Sequence, residues 1–325
     1  MKIAIVHTQL AENATRDELD VLDQVDMVRK ALDDLGMESV TIPISLDLNR
    51  AKLDLINSGA NCVFNLVESL SGTGRFIHLL PALLDVMKIP YTGGNTEALF
   101  LTTNKVLTKE FLTAANLPTP EFQDAAAIRQ SGINLKMPVI IKPVWEDASV
   151  GLDDTAIFHD HVDAKTFFKE RNKAYGDCFA EGFISGREFN MSVIASEDGP
   201  QVLPAAEIIF NDFPDDKPQI VGYKAKWESD SFEYKNTVRR FDFPERDHEL
   251  INRLNTLTLR CWQLFKLNGY ARVDFRVDPF GQPWILEINA NPCIAPDSGF
   301  MAAAGRAGLT YANVVASIIA DSNSF

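Results

Sequence analysis

Two neighbouring segments constrain this chain more than any others: Tyr270-Ala271-Arg272-Val273-Asp274-Phe275-Arg276-Val277 and Trp284-Ile285-Leu286-Glu287-Ile288-Asn289-Ala290-Asn291-Pro292. Both alternate with period two, and the turn-like Pro279-Phe280-Gly281-Gln282 lies between them, so the pattern predicts a β-hairpin. In the first strand Ala271, Val273, Phe275 and Val277 share one face, leaving Arg272, Asp274 and Arg276 on the other. In the second, Trp284, Leu286 and Ile288 oppose Ile285, Glu287 and Asn289. When the apolar faces coincide, Asp274, Glu287 and Asn289 converge on one surface, with Arg272 beside them. Two carboxylates ~5 Å apart repel by roughly 3 kcal/mol at an effective dielectric of about 20. A hard divalent cation reverses that sign, and all-oxygen ligands suit Mg²⁺ or Mn²⁺ rather than zinc. A solvated sheet face, where carboxylates are ordinary, is the other reading of the same hairpin.

With 325 residues, 46% of them hydrophobic, the chain can bury a large core and has the length of two or three domains. The formal charge of −14 argues against nucleic-acid or anionic-membrane partners, which demand a basic surface. It leaves room for a nucleotide, which a few placed lysines can hold. Cys62, Cys178, Cys261 and Cys293 are scattered without a C-x-x-C pair, which speaks against zinc or a disulfide framework and for a reducing cytoplasm. The apolar run after Lys2 is too short for a signal peptide, and no 18-residue apolar run offers a membrane span. The expected partners are therefore small molecules, with a homodimer left open.

The first ~95 residues read as strand–helix–strand units. Strands are expected at 2–7, 39–44 and 61–66. Thr15-Arg16-Asp17-Glu18 matches a capping box ahead of Leu19, Leu22, Val25, Val28, Leu32 and Leu35 at helical spacing. A helix over 75–88 leads into Ile89-Pro90-Tyr91-Thr92-Gly93-Gly94. This alternation predicts a small parallel sheet with helices on both sides. A long helical stretch, 96–116, ends at Leu117-Pro118-Thr119-Pro120, which cannot continue a helix. The segment 121–184 looks α+β, with strands at 139–144 and 178–184 around a helix at 162–175. Strands at 188–195 and 201–209, a helix over 247–268 and a short helix near 311–320 complete the pattern.

Lys142 lies in Pro138-Val139-Ile140-Ile141-Lys142-Pro143-Val144, an otherwise apolar strand, and a buried ammonium needs an anionic partner. A phosphate and a structural carboxylate both answer. Glu146-Asp147-Ala148-Ser149-Val150-Gly151 follows as a small-residue turn able to bring backbone N–H groups to a phosphate. Lys105, in a helical run, has the pattern of a solvated surface lysine when taken alone. Phe179-Ala180-Glu181-Gly182-Phe183-Ile184 followed by Ser185-Gly186-Arg187-Glu188 reads as two strands and a tight turn. Glu181 there could face an adenine amino group and Glu188 ribose hydroxyls, or the pair could be a plain exposed hairpin.

In this order, the lysine on a helix, the lysine on a strand, the hinge glutamate and the Arg-x-Asp and Glu-x-Asn strands resemble the ATP-grasp superfamily. Within it, the resemblance is to D-alanine–D-alanine ligases. Asn65-Leu66-Val67-Glu68, Leu80-Pro81-Ala82-Leu83-Leu84, Ile89-Pro90-Tyr91-Thr92-Gly93, Leu117-Pro118-Thr119-Pro120, Val139-Ile140-Ile141-Lys142-Pro143, Ser185-Gly186-Arg187-Glu188-Phe189 and Arg272-Val273-Asp274-Phe275 all look like that family. The match spans about 61 to 315 and is most specific in the nucleotide half. It implies a three-domain ATP-grasp architecture of α/β and α+β class. A small parallel-sheet domain (1–95) would precede two α+β domains (96–184 and 185–325) that clasp ATP. By the same resemblance Lys105, Lys142 and Lys226 contact phosphates, Glu181, Phe183 and Ile184 form the adenine hinge, and Glu188 holds the ribose. Asp274, Glu287 and Asn289 would ligate Mg²⁺ or Mn²⁺, and Arg272 would stabilise charge on the transferring group. The chemistry implied is carboxylate attack on the γ-phosphate, then displacement of phosphate from the acyl phosphate by an amine. Loops 145–151 and 211–235 would be lids.

The substrate half departs from the family pattern. Paired serines appear as Ala148-Ser149, and the tyrosine expected after the lid lysine is Trp227. Glu12 lies near the place of the family's substrate glutamate, but His7-Thr8-Gln9-Leu10 replaces the glycine-rich run before it. Asn65-Leu66-Val67-Glu68-Ser69-Leu70-Ser71-Gly72 likewise replaces the His-Gly…Gly-Glu-Asp-Gly region. Cys293 stands where a glycine would approach the oxyanion, as a nucleophile or as a small packing residue, and Ser298 matches a serine that binds an acceptor carboxylate. The expectation is an ATP-dependent carboxylate–amine ligase for D-alanine or for a different amino acid or peptide, with Glu12, Ser149, Lys226 and Arg272 as catalytic candidates. The alternatives are a nucleotide-binding protein that has lost ligase activity, and a kinase that leaves phosphate on its substrate.

Overall fold

The apolar run after Lys2 becomes β1 (Lys2–Thr8), its five central residues buried, in the computed structural model, which describes residues 1–146, 149 and 151–322. α1 (Arg16–Asp34) opens on the expected capping box: the Glu18 carboxylate accepts from the Thr15 backbone N–H at 2.8 Å and from its hydroxyl at 3.0 Å. β2 (Glu38–Ile44), α2 (Leu48–Ser58) and β3 (Cys62–Leu66) follow, and the strands pair in parallel in the order β2-β1-β3. α2 was not anticipated, although its signals are ordinary ones. Asp47 accepts from the Arg50 N–H at 3.0 Å, and Gly59 closes the helix at φ +63°. The helix expected over 75–88 is shorter, with a 3₁₀ turn at Gly74–Phe76 before α3 (Leu79–Met87).

The single helix expected over 96–116 is two, α4 (Thr96–Thr103) and α5 (Lys105–Ala114). Asn104 breaks the run: its side chain accepts from the N–H groups of Val106 and Leu107 at 3.1 and 3.0 Å, so it caps a new helix. β4 (Phe122–Gln123), α6 (Ala125–Ser131), β5 (Val139–Pro143), β6 (Ile157–Phe158), α7 (His161–Tyr175) and β7 (Cys178–Gly182) then build an antiparallel sheet ordered β4-β7-β5-β6. Val139, Ile141 and Ala180 of that sheet pack with Ala164 and Phe168 of α7 in a separate small core.

The rest of the chain forms the larger antiparallel sheet. β8 (Arg187–Ile194), β9 (Gln201–Val202) and β10 (Ala206–Phe210) come first; the strand expected at 201–209 is split where Pro204 interrupts it. The short helices α8 (Tyr223–Trp227) and α9 (Phe232–Asn236), then β11 (Thr237–Arg240), α10 (His248–Leu264), β12 (Tyr270–Val277), β13 (Pro283–Asn289), α11 (Gly299–Arg306) and α12 (Tyr311–Ala320) follow. The sheet runs β11-β10-β8-β12-β13, with β9 also on β8. One continuous core joins it to the first sheet, from Ala4 and Val63 through Leu80 and Leu99 to Val273 and Ile285.

The hairpin forms, with one correction. Arg272 faces Asn289, Val273 faces Ile288 and Asp274 faces Glu287, but the register then shifts and Phe275 faces Ile285. Leu286 is the extra residue of a β-bulge. Strict alternation had put Leu286 and Trp284 with Ile288 on the apolar face. The bulge reverses the pattern beyond it, so Ile285 is fully buried while Leu286 joins Glu287 in the cleft lining. Among the described residues no helix is long and apolar enough to cross a membrane.

Candidate active site

A cleft of about 680 Å³ collects residues from all three sheets: Asp17 and Asp20 of α1, Lys142 of β5, Glu181 of β7, Glu188 of β8 and the polar faces of β12 and β13. That volume suits a nucleotide-sized ligand with room beside it. At its base the bulged hairpin sets Asp274 opposite Glu287. Asn190 Nδ2 and Arg272 Nε donate to Asp274 Oδ1 at 2.8 Å each, and Arg272 Nη2 donates to Oδ2 at 2.8 Å. Asn289 Nδ2 reaches the same Oδ2 at 3.4 Å. Burial works against the Glu287 charge, yet Lys105, Lys226, Lys142 and Arg272 together hold its carboxyl well below the usual range. Two carboxylates and a carboxamide on paired strands give hard oxygen donors that fit Mg²⁺ or Mn²⁺ with phosphate oxygens completing the shell. Among the described residues no group of three or more His, Cys, Asp or Glu stands together as a metal site.

The lysines arrive from different elements. Lys105, as the first residue of α5, is 6% exposed rather than solvated. Its Nζ donates to the Glu146 carbonyl at 2.7 Å and lies 3.7 Å from Glu287 Oε2. Lys142 lies 2.5 Å from Glu181 Oε1, and Lys109, which the sequence reading passed over, lies 2.5 Å from Glu181 Oε2. Glu181 is 1% exposed and Lys109 fully buried, so the three charges form a buried triad in the cleft wall, with Lys142 and Glu181 on the lining and Lys109 behind them. Burial pushes the Glu181 carboxyl up, and Lys109 and Lys142 outweigh it, leaving it below its ordinary range. The signal for Lys109 was its place four residues after Lys105, on one helical face, where two lysines repel unless a carboxylate sits between or beneath them.

Phe183 and Ile184 line the cleft where the two antiparallel sheets meet. Glu188 is buried and bound to Arg276, whose Nε and Nη2 both donate to Glu188 Oε2, at 3.1 and 2.7 Å. Arg276 had been placed on the polar face of its strand without a role. Lys226 and Trp227 end α8, with burial and the neighbouring Arg272 pulling the lysine pKa down. The segment leans on α1: the Tyr223 hydroxyl donates to Asp17 at 2.8 Å, and Arg16 donates to the Trp227 carbonyl at 3.2 Å. Ser149 donates to the Val221 carbonyl at 2.7 Å, joining the two expected lids. Ala148 lies outside the described residues.

The remaining candidates divide. Ser298 lines the cleft and caps α11, accepting from the Met301 N–H at 3.2 Å. Cys293 also lines it, with Sγ 3.0 Å from Asp20 Oδ2. Burial, then Glu68 and Asp20, push its thiol up, which disfavours the thiolate a nucleophile needs. Glu12 is exposed and absent from the cleft lining, because it sits in the turn before α1 rather than on it. Asp17, Asp20 and Glu68 supply the carboxylates there instead. Gln24 binds both Glu68, at 2.8 Å, and Asp20, at 3.2 Å, and so holds the pair together. Arg239, also unforeseen, donates to the Asp297 carbonyl at 2.9 Å beside Ser298.

Comparison with known proteins bears on the family and the fold. The family model described as the D-ala D-ala ligase C-terminus matches residues 109–320. A Sinorhizobium fredii protein named "Uncharacterized protein y4sG" is 30% identical over 258 residues, 79% of this chain and 73% of its own length. The D-alanine–D-alanine ligase of Bordetella pertussis is 28% identical over 275 residues, 84% of this chain and 81% of that enzyme. The structure of D-alanine–D-alanine ligase from Bacillus anthracis complexed with ATP superposes with a TM-score of 0.74 at 19% identity, covering 99% of this chain and 97% of that one. That last likeness carries the fold.

Proposed function

The chain belongs to the D-alanine–D-alanine ligase family of ATP-dependent, ADP-forming carbon–nitrogen ligases, and from that premise we propose that it joins an amino acid or similar carboxylate to an amine through an acyl phosphate. The observation that carries this reading is the register that sets Asp274 against Glu287 while Lys105, Lys142, Lys226 and Arg272 converge on the same carboxylate. Phosphoryl transfer asks for positioned cations more than for covalent machinery. In this reading Lys105, Lys142 and Lys226 hold the phosphates, Glu181 with the Phe183-Ile184 hinge reads adenine, and Glu188 takes the ribose. Asp274, Glu287 and Asn289 would hold magnesium or manganese, which would supply positive charge to offset that of the phosphates. The substrate carboxylate oxygen attacks the γ-phosphorus as ADP leaves. The amine then attacks the acyl carbon, and phosphate departs as the nitrogen loses its proton. In this reading Arg272 stabilises charge on the transferring group. A cytoplasmic site of action fits four free cysteines.

The amino-acid end favours a substrate choice different from that of the relatives acting on D-alanine. Trp227, with no hydroxyl, lines the cleft together with the carboxylates Asp17, Asp20, Glu68 and Asp297 and the guanidinium groups of Arg239 and Arg272. Such a surface suits zwitterions, with carboxylates at the arginines and ammonium groups at the acids. The test is ADP release against a panel of D- and L-amino acids and short peptides, with hydroxylamine to trap the acyl phosphate. Stimulation by a carboxylate–amine pair supports the reading. Silence across the panel, or phosphate retained on a substrate, defeats it.

A further inference from the structure

Arg276 donates four hydrogen bonds in the nucleotide half of the cleft, and no step of the proposed reaction uses it. It is 3% exposed. Besides the two bonds to Glu188 Oε2, its Nη1 donates to the Ile184 carbonyl at 3.3 Å and its Nη2 to the Gln219 carbonyl. The guanidinium also stands 5.4 Å from the Phe183 ring centroid, within cation–π range. One residue of the β12 floor thus reaches the adenine hinge, the loop before α8 and the carboxylate assigned to the ribose. Both hydrogen bonds that Glu188 accepts from Arg276 fall on the same oxygen, which leaves Oε1 as the acceptor for a ligand hydroxyl. A glutamate has three rotatable side-chain bonds, so without that clamp its carboxylate would have to be ordered anew by each nucleotide.

We propose that Arg276 is the positioning residue for ribose recognition: it pins Glu188 so that the free oxygen is aimed at a ribose hydroxyl, and it makes the site select ribonucleotides over their deoxy counterparts. The proposal rests on the ATP reading above. A buried charged acceptor that loses its hydroxyl partner discriminates strongly, because it is left unsatisfied.

The experiment measures affinity by calorimetry, and kcat and KM, for ATP, 2′-deoxy-ATP and 3′-deoxy-ATP. The wild type is expected to bind ATP about tenfold or more tightly than at least one deoxy analogue. Arg276→Met should weaken ATP about tenfold while changing that analogue less than about threefold, so that the ratio falls toward one and KM moves more than kcat. Arg276→Lys, which keeps the charge pair but not the bridge, should recover part of the ratio. Glu188→Gln leaves the arginine in place and should collapse the ratio as well, which covers the case in which Arg276→Met does not fold. If Arg276→Met weakens all three nucleotides equally, or keeps the wild-type ratio, Arg276 is only structural and the inference fails while the ATP reading stands. A wild type that binds none of the three overturns both.

Discussion

The end of the cleft that we assign to the nucleotide and the end that we assign to the amino acid are assembled in different ways. At the first, Lys105, Lys142, Glu181, Glu188, Asp274 and Glu287 all sit within a strand or at the first residue of a helix, and each has an opposite charge within 3.7 Å. At the second, the lining comes from separate pieces: the first turns of α1, the loop after β3 with Glu68, the last residue of α8, and the cap of α11. Sites held on strands by paired charges are rigid, whereas a site gathered from element ends can change one contact at a time. The difference accounts for a chain whose nucleotide motifs stay close to family form while its substrate motifs depart from it.

Substitutions at the two ends should therefore differ in kind. Glu181→Gln should have the largest effect, because it leaves Lys109 and Lys142 buried without their anion; the loss of unfolding free energy in urea is expected to be about 3–5 kcal/mol. Since the folded Glu181 carboxyl lies below its ordinary value, its contribution is complete above about pH 5 and fades as pH falls through the lowered value. The gap between wild type and variant should narrow on acidification, and a gap independent of pH would show that the triad is not the source. Asp274→Asn should lower kcat roughly 100-fold while shifting ATP affinity less than tenfold. Equal losses in both would mean that the carboxylate serves binding alone. Trp227→Tyr should leave ATP affinity unchanged and shift kcat/KM among amino acids by about tenfold, with any shift toward D-alanine tying this position to substrate choice. Glu12→Ala, at an exposed turn, should change stability by less than about 0.5 kcal/mol and activity by less than twofold. A larger loss would bring the turn before α1 back into the site.

The hairpin was legible because period two survives in the sequence, and the convergence of Asp274, Glu287 and Asn289 followed from it. The bulge at Leu286 was not legible, since an extra residue in an apolar run leaves no mark on composition. Asn104 read as helix interior because a single cap inside a periodic stretch looks like a tolerated polar residue. That reading kept Lys105 on the surface. The spacing of Lys109 from Lys105 was its one mark in the sequence, and it did not suffice, because the burial of Lys109 depends on Glu181, 72 residues further along the chain. Glu12 was chosen because it lies near the place of the family's substrate glutamate, whereas here the chain turns once more before α1 presents Asp17 and Asp20.

The two bonds that fasten α8 to α1, Tyr223 to Asp17 and Trp227 to Arg16, have a consequence for engineering. A chimera that takes its leading portion from a relative would receive half of a latch and present a foreign surface to the lid. Selectivity would then have to be transplanted as a matched cassette, with 15–20 and 223–227 moving together.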